Sequence, residues 1–229
     1  MRRKGSTSAS ECLPDCLDTP PTWLRKLRRL RRSVTRLETL TEAFRGVTTV
    51  LCAVAATEGM NATQQEAVEF TGVENQIKAL TAGNPYVPPS RLNFVLCSSM
   101  GTTDPDPKPY EGGSILFWKL NAEAFLGASG VTSVVVKPGG LIDGDAGKAT
   151  LVVGHDDTLL TTVSPPTVTR ADVAKVMVAA ARDLANANPC DNNNLRFGLV
   201  SKPGPANDLA ALLRSARFPW APWTPARSG

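Results

Sequence analysis

The chain is poor in the side chains on which much catalytic and metal chemistry depends. Its 229 residues include one histidine, His155, and two tyrosines. A single histidine disfavours both a His-based catalytic triad and a zinc site, and we expect no metal. His155 lies in a polar turn beside Asp156 and Asp157, where a surface position is the simpler interpretation. The longest apolar stretch, Val50 to Ala56, is far shorter than the about 18 residues of a membrane-spanning helix.

Cysteine is scarce and unevenly placed, with five in all: Cys12, Cys16, Cys52, Cys97 and Cys190. An odd number without a secretory signal indicates a reducing compartment, so we expect a soluble protein of the plastid or the cytoplasm. Cys52 and Cys97 fall in apolar runs that are typical of buried free thiols. Cys12 and Cys16 form at most half of a metal site, because no second pair follows at the usual spacing.

The positive net charge of +4 is confined to the beginning of the chain. Residues 1–36 carry ten Lys or Arg and three acids, a balance of +7, whereas the remainder carries fifteen basic and eighteen acidic residues, a balance of −3. Nucleic-acid binding by the folded part is therefore not indicated. The basic leader, residues 1–33, has three interpretations: a sequence that has lost part of its first half, which we favour, an organelle transit segment, or an arm for acidic surfaces.

The remaining sequence alternates strand-like and helix-like segments. This alternation predicts an α/β fold with a parallel sheet. Thr169 and Asp172 have the spacing of a helix-start cap, so Arg170 and Asp172 are expected to serve the helix rather than a site. A hairpin is predicted at 149–153 and 158–162, and a turn at 137–140. The predicted strands are 47–56, buried on both faces, and 92–97, 131–136 and 195–200; the predicted helices are 66–82, 114–128, the one opened at Thr169, and 208–216.

Five segments in order carry a resemblance to a known family. They are Val34–Val47, Phe94–Gly101, Trp118–Gly130, Val136–Leu141 and Thr169–Ala174. Together they resemble an atypical short-chain dehydrogenase/reductase of the NAD(P)H-binding, NmrA-like kind, and most of all a small plant and algal group of such proteins. The resemblance implies an incomplete Rossmann-like, doubly wound parallel sheet with flanking helices. It places strands four to seven of that fold in residues 34–218, followed by a tail at 219–229.

Two departures from the family pattern stand out. The chain has no Gly-x-x-Gly-x-x-Gly turn, which would meet a pyrophosphate at a helix N-terminus. Ile115 occupies the place of the tyrosine in the reductase motif Tyr-x-x-x-Lys, although Ile-Leu-x-Trp-Lys is the form that resembles the plant group. The absence of the first strands would leave the apolar edge 47–56 exposed, and we expect poor solubility or a protein partner there.

The resemblance also supplies candidate residues for binding NADP or NAD. Lys119 is the strongest, since such a lysine hydrogen-bonds the nicotinamide ribose. Ser98 and Ser99 follow a strand at its carboxyl end, where open α/β sheets place ligands, and Ser99 is the weak candidate for catalysis. The turn of Pro138, Gly139, Gly140 and Leu141 would face the nicotinamide ring, and Ala53, Val54 and Ala55 would line the cofactor path; strand-end capping, a tight turn and core packing are the structural alternatives.

Three functions remain open from the sequence. The first is an NAD(P)-binding reductase-like protein, an oxidoreductase of unknown substrate whose proton supply is in question. The second is a non-catalytic interaction or redox-sensing module that retains the fold. The third is a basic-arm protein whose binding to acidic surfaces would fall steeply with salt.

Overall fold

The structure is a computed structural model that describes residues 32–57, 59–103, 114–186 and 194–217. The first 31 residues of the predicted leader lie outside the described residues, as do the tail, Cys12, Cys16 and Cys190. The helices are α1 Ala62–Glu66, α2 Gly72–Ala82, α3 Ile115–Ala128, α4 Leu159–Thr162, α5 Arg170–Asn186 and α6 Leu209–Ala216. The strands are β1 Thr49–Cys52, β2 Asn93–Cys97, β3 Thr132–Pro138, β4 Gly140–Ile142, β5 Thr150–Gly154, β6 Thr167–Thr169 and β7 Leu195–Lys202.

Five strands form one sheet in the order β1-β2-β3-β7-β5. The pairs β1–β2, β2–β3 and β3–β7 are parallel, and β5 runs antiparallel to β7. The four strands predicted from apolar runs are therefore neighbours in chain order, which confirms a mostly parallel Rossmann-like sheet with flanking helices. Strands β4 and β6 form a separate two-stranded parallel pair.

The sheet is covered on both faces because its central strands are apolar on both sides. In β3, Val134 and Val136 pack into the cluster that contains α5 and α6, whereas Val135 packs with α2 and α3. This alternation follows from the two-residue period of a strand. The helix that Thr169 opens buries Val173, Val176, Ala180 and Leu184, which recur at helical spacing in the sequence. Asp172 accepts a hydrogen bond from the Thr169 hydroxyl at 2.9 Å and donates its own N–H to that oxygen at 3.0 Å, which confirms the cap.

The predicted helix at 66–82 begins earlier and is not uniform. Asn61 caps α1 by accepting from the Gln64 N–H at 3.0 Å, and the Gln64 side chain accepts from the Asn61 N–H at 3.0 Å. This reciprocal box moves the helix start to Ala62. Residues Ala67–Thr71 then form a π-helical turn before α2. A π-turn inserts one residue into the helix and is frequent at functional sites.

Three predictions of local structure were wrong. The second arm of the predicted hairpin is helix α4, because β5 pairs with β7 instead of folding back on the next segment. The predicted turn 137–140 is the end of β3 followed directly by β4, which pairs with β6. Strand β1 is not buried on both faces, since Leu51 is 44% exposed. These errors share one cause, because each depends on which distant segment covers or pairs with the strand.

Candidate functional site

A pocket of about 240 Å³ lies where strands β1, β2 and β3 end. Open parallel sheets bind ligands at this edge because the loops that leave the strands diverge there. The pocket is lined by eight of the nine residues predicted to bind cofactor, all except Gly140, together with Ser99. Its lining consists of Ala53, Val54, Ala55, Ala56, Glu69, Cys97, Ser98, Ser99, Ile115, Leu116, Lys119, Pro138, Gly139 and Leu141.

Lys119 projects from α3 into the pocket wall and is paired with a carboxylate that the sequence reasoning missed. Its Nζ donates to Glu69 Oε2 at 2.7 Å, with side-chain exposures of 11% for Lys119 and 3% for Glu69. The other oxygen, Glu69 Oε1, accepts from the Ala56 N–H at 2.7 Å. Glu69 therefore ties the lysine to the loop after β1. An acid on the buried stripe of a helix was the available signal, since an unpaired buried carboxylate is costly.

Ser98 and Ser99 behave differently although both line the pocket. The Ser98 hydroxyl donates to Glu123 Oε1 in a buried contact. The Ser99 hydroxyl donates to the carbonyl of Met100 at 2.8 Å. Neither hydroxyl proton is therefore directed at the pocket. Ile115, at the position four residues before Lys119, is 4% exposed and offers a hydrocarbon surface to the same space.

The segment from Pro138 to Leu141 reaches the pocket through three of its four residues. Pro138, Gly139 and Leu141 line the pocket, but Gly140 does not. A Cβ on Gly139 would stand 2.1 Å from the carbonyl oxygen of Pro166, so this glycine is required by the packing of the chain itself. The atom that excludes a side chain at position 139 is therefore a backbone oxygen of the protein itself. That this segment faces a bound nicotinamide ring stays a prediction.

A narrow recess continues from the pocket towards α2. It measures about 10 Å³, comparable to the space that one water molecule needs, and is bordered by Glu69, Ser98 and Lys119 among others. Two free cysteines lie close by, Cys52 buried and Cys97 half-buried. Burial raises the pKa of both thiols above the ordinary value of 9.0, and Lys119 opposes the rise. The thiols are therefore protonated and weakly nucleophilic at neutral pH.

A wider depression of about 400 Å³ runs along β5 and α6 at the far edge of the sheet. Its charged lining residues are Lys202 and Asp208. The carboxylate of Asp208 accepts the N–H groups of Ala210 and Ala211 as the cap of α6. The depression is more open than the pocket at the strand ends, and its Thr150, Asn207 and Ser215 side chains donate to backbone carbonyls of the protein itself, so it carries no assigned site.

A second set of charged side chains is buried behind Ser98. Lys137, 3% exposed, donates from Nζ to the Thr102 hydroxyl at 2.6 Å and lies 3.4 Å from Asp157 Oδ1. Burial lowers the pKa of Lys137 below its ordinary 10.5, although Glu123 and Asp157 oppose the change. Burial alone would raise the pKa of Asp157, but hydrogen bonds from Thr103 and the charge of Lys137 lower it.

The lowered pKa of Lys137 predicts a rise in stability with pH. Between that pKa and 10.5 the unfolded chain holds a proton that the folded chain has released, so the free energy of unfolding rises as pH increases. Cys52 and Cys97 act oppositely above 9.0, because the unfolded thiols ionise first. We expect the free energy of unfolding of wild type minus that of Lys137→Met, measured by urea denaturation, to increase through the alkaline range.

The cysteine contributions are common to both proteins and cancel in this difference. A difference that stays constant with pH would show that folding does not lower the pKa of Lys137.

Among the described residues, no group of three potential ligands is placed to hold a metal ion. No helix within the described ranges is long and apolar enough to span a bilayer.

Comparison with known proteins agrees with this geometry. The profile of a family described as NAD(P)H-binding matches residues 24–184. Over 117 residues the chain is 40% identical to a protein of Arabidopsis thaliana named as uncharacterized and chloroplastic. The aligned segment makes up 50% of this chain and 34% of that protein. Over 140 residues the chain is 39% identical to the sanguinarine reductase of Eschscholzia californica. The aligned segment makes up 60% of this chain and 46% of that enzyme.

Solved structures show the same fold at low sequence identity. A candidate NAD-dependent epimerase/dehydratase from Bacillus halodurans superposes with a TM-score of 0.59 at 22% identity, over 76% of this chain and 72% of that one. An oxidoreductase from Lactococcus lactis gives a TM-score of 0.55 at 13% identity, over 80% and 74%. The chain spans less than half the length of the two curated relatives that it matches.

Proposed function

Because this chain belongs to the NAD(P)H-binding family, we propose that the pocket at the strand ends holds the nicotinamide end of NADP or NAD and that the whole protein is a reductase-like oxidoreductase. The observation that carries the proposal is the position of Lys119, whose ammonium borders a pocket at the carboxyl ends of three parallel strands. The 240 Å³ of the pocket suits one ring with its sugar and is too small for a whole dinucleotide.

Different residues of the pocket suit the ribose and the nicotinamide ring of the cofactor. Lys119 is a donor for ribose hydroxyls, which accept hydrogen bonds. Ile115, Leu116 and Pro138 give an apolar wall for a ring. A bound reduced dinucleotide supplies the hydride, and the chain binds and orients it. Ile115 has no proton to donate, so any proton for a product comes from a group other than this residue.

The second candidate is a non-catalytic interaction or redox-sensing module on the same fold. Ile115 favours it, because a hydrocarbon side chain at this place in the pocket has no proton to donate to a product. Dinucleotide affinity separates the two candidates. The NmrA-like subgroup, a plastid location, domain limits at 34–218 and a protein partner at the edge 47–56 remain proposals of the same kind, as does catalysis through Ser99.

The test is binding of NADPH and NADH to the purified chain, by calorimetry or by quenching of protein fluorescence. Wild type is expected to bind saturably. The paired variant Glu69→Gln/Lys119→Met removes both charges without leaving one buried alone, and we expect it to bind about 10- to 100-fold more weakly, the range for a lost hydrogen bond to a charged group. Lys78→Met, on the exposed face of α2, is the matched control and should bind as wild type does.

No binding at millimolar ligand by folded wild-type chain would contradict the cofactor proposal and favour the interaction module. Equal weakening in Lys78→Met would show that the loss of affinity does not depend on the Glu69–Lys119 pair at the pocket.

A further inference from the structure

The direction of the Ser98 hydroxyl is fixed by a residue outside the pocket. Ser98 Oγ donates to Glu123 Oε1, and the Ser98 N–H donates to the carbonyl of Val136 at 2.8 Å. Ser98 is 5% exposed, and Glu123, on α3, is 7% exposed. The hydroxyl proton is thus committed to a buried carboxylate that is not part of the pocket lining.

Glu123 is held in this role by a cation on its other oxygen. Arg196 Nε donates to Glu123 Oε2 at 2.5 Å. A second guanidinium nitrogen, Arg196 Nη2, lies 3.3 Å from the Thr102 hydroxyl oxygen, which also accepts from Lys137 Nζ at 2.6 Å. The four charged side chains Glu123, Arg196, Lys137 and Asp157 therefore balance one another. A carboxylate has no hydrogen to give, so Glu123 can only accept from Ser98.

A hydroxyl that has given its one proton retains two acceptor lone pairs. We propose that Ser98 is an acceptor-only position in the pocket, that Glu123 and Arg196 act as positioning residues for it, and that it recognises a carboxamide N–H of the nicotinamide ring. This inference rests on the proposed function, which places that ring in the pocket. Lys119, which lines the same pocket, is a donor without acceptor capacity and therefore prefers an acceptor on the ligand.

The carboxamide is the donor that fits the position of Ser98. Ser98 borders both the pocket and the recess behind it, as Lys119 and Glu69 do, so it lies within reach of a ring bound there. The ribose hydroxyls both donate and accept, so they suit Lys119, which only donates. At the nicotinamide end the amide NH₂ of the ring is the group that only donates, so it is the match for a serine oxygen that only accepts.

The experiment compares NADPH and NADH with their 3-acetylpyridine analogues, in which a methyl group replaces the amide NH₂ and the carbonyl is kept. Wild type should bind the nicotinamide form about tenfold more tightly than the analogue, because this ratio corresponds to the upper end of the net free energy of one hydrogen bond. In Ser98→Ala the acceptor is gone, and the ratio of the two dissociation constants should fall towards one.

Glu123→Gln provides the sharper arm. Its amide oxygen can still accept from Arg196, while its NH₂ donates to Ser98 and turns the hydroxyl proton towards the pocket. The ratio should then fall to one or invert, because the Ser98 hydroxyl can now donate to the acetyl carbonyl. In a Ser98→Ala background the same substitution should leave the ratio unchanged. Glu74→Gln on α2 is the matched control and should keep the wild-type ratio.

Equal affinity of wild type for both forms would overturn the inference while leaving the proposed function intact. A change of ratio by Glu123→Gln that persists in the Ser98→Ala background would also overturn it, since Glu123 would then act independently of Ser98. Failure of folded wild type to bind either form would refute the proposed function itself, and the inference with it.

Discussion

Replacing Lys119 with methionine is expected to lower the free energy of unfolding by about 3 kcal/mol, the lower end of the range for breaking a buried ion pair. The substitution leaves the Glu69 carboxylate, 3% exposed, with the Ala56 N–H as its remaining partner at 2.7 Å. The lower end applies because the Lys119 side chain is 11% exposed at the pocket, where water can approach the pair. Urea denaturation at neutral pH measures the change.

The paired variant Glu69→Gln/Lys119→Met supplies the decisive comparison. The glutamine that replaces Glu69 can still accept from the Ala56 N–H and carries no charge, so we expect this variant to lie within about 1 kcal/mol of wild type. Lys78→Met is the surface control, because Lys78 is 52% exposed and its pair with Glu74 is worth about 0.5 kcal/mol or less. A paired variant that is less stable than Lys119→Met would show that an unpaired Glu69 carboxylate does not lower the free energy of unfolding.

Gly139→Ala is expected to destabilise the protein by about 3 kcal/mol, the upper part of the usual range for overpacking. The added methyl group would stand 2.1 Å from the Pro166 carbonyl oxygen and 3.0 Å from the Met100 side chain. The Pro166 carbonyl cannot easily withdraw, since it accepts the Gly140 N–H at 2.9 Å. Thermal or urea unfolding of the variant measures the loss.

Gly127→Ala is the matched control for that substitution. Gly127 lies within α3, and a Cβ there meets no atom within 4 Å. Alanine should therefore stabilise the helix by up to about 1 kcal/mol, through its higher helix propensity. The two Gly→Ala changes are thus expected to have opposite signs. A neutral Gly139→Ala would show that the segment around Pro166 can move away from β3, and would reopen a ligand-facing reason for the glycine.

The pocket thus has a charged side and a backbone side. The Glu69–Lys119 pair connects α3 to the loop after β1, and Gly139 lets the segment after β3 pack against Pro166. Both features hold the strand ends in place whether or not a ligand is bound. A binding site built on such fixed elements needs little rearrangement to accept a flat ring.

The sequence by itself determined the main strands, most of the helices and their order. The apolar runs around Phe94 and Val134 predict buried strands because a strand covered on both faces has no polar side. The stripe of Val173, Val176, Ala180 and Leu184 predicts the inner face of α5 because helical neighbours recur every three to four residues. Lys119 and the residues at the strand ends could also be located, since they lie in segments that resemble a family.

The tertiary structure decided the contacts between segments far apart in the chain. Glu69 meets Lys119 across 50 residues, and Arg196 meets Glu123 across 73. No local pattern encodes such pairs, because they follow from which strands are neighbours and how α2 and α3 pack on the sheet. The same reason explains why β5 pairs with β7 rather than with the next segment. Local periodicity fixes what each segment becomes, and only the packing of the segments fixes which side chains meet.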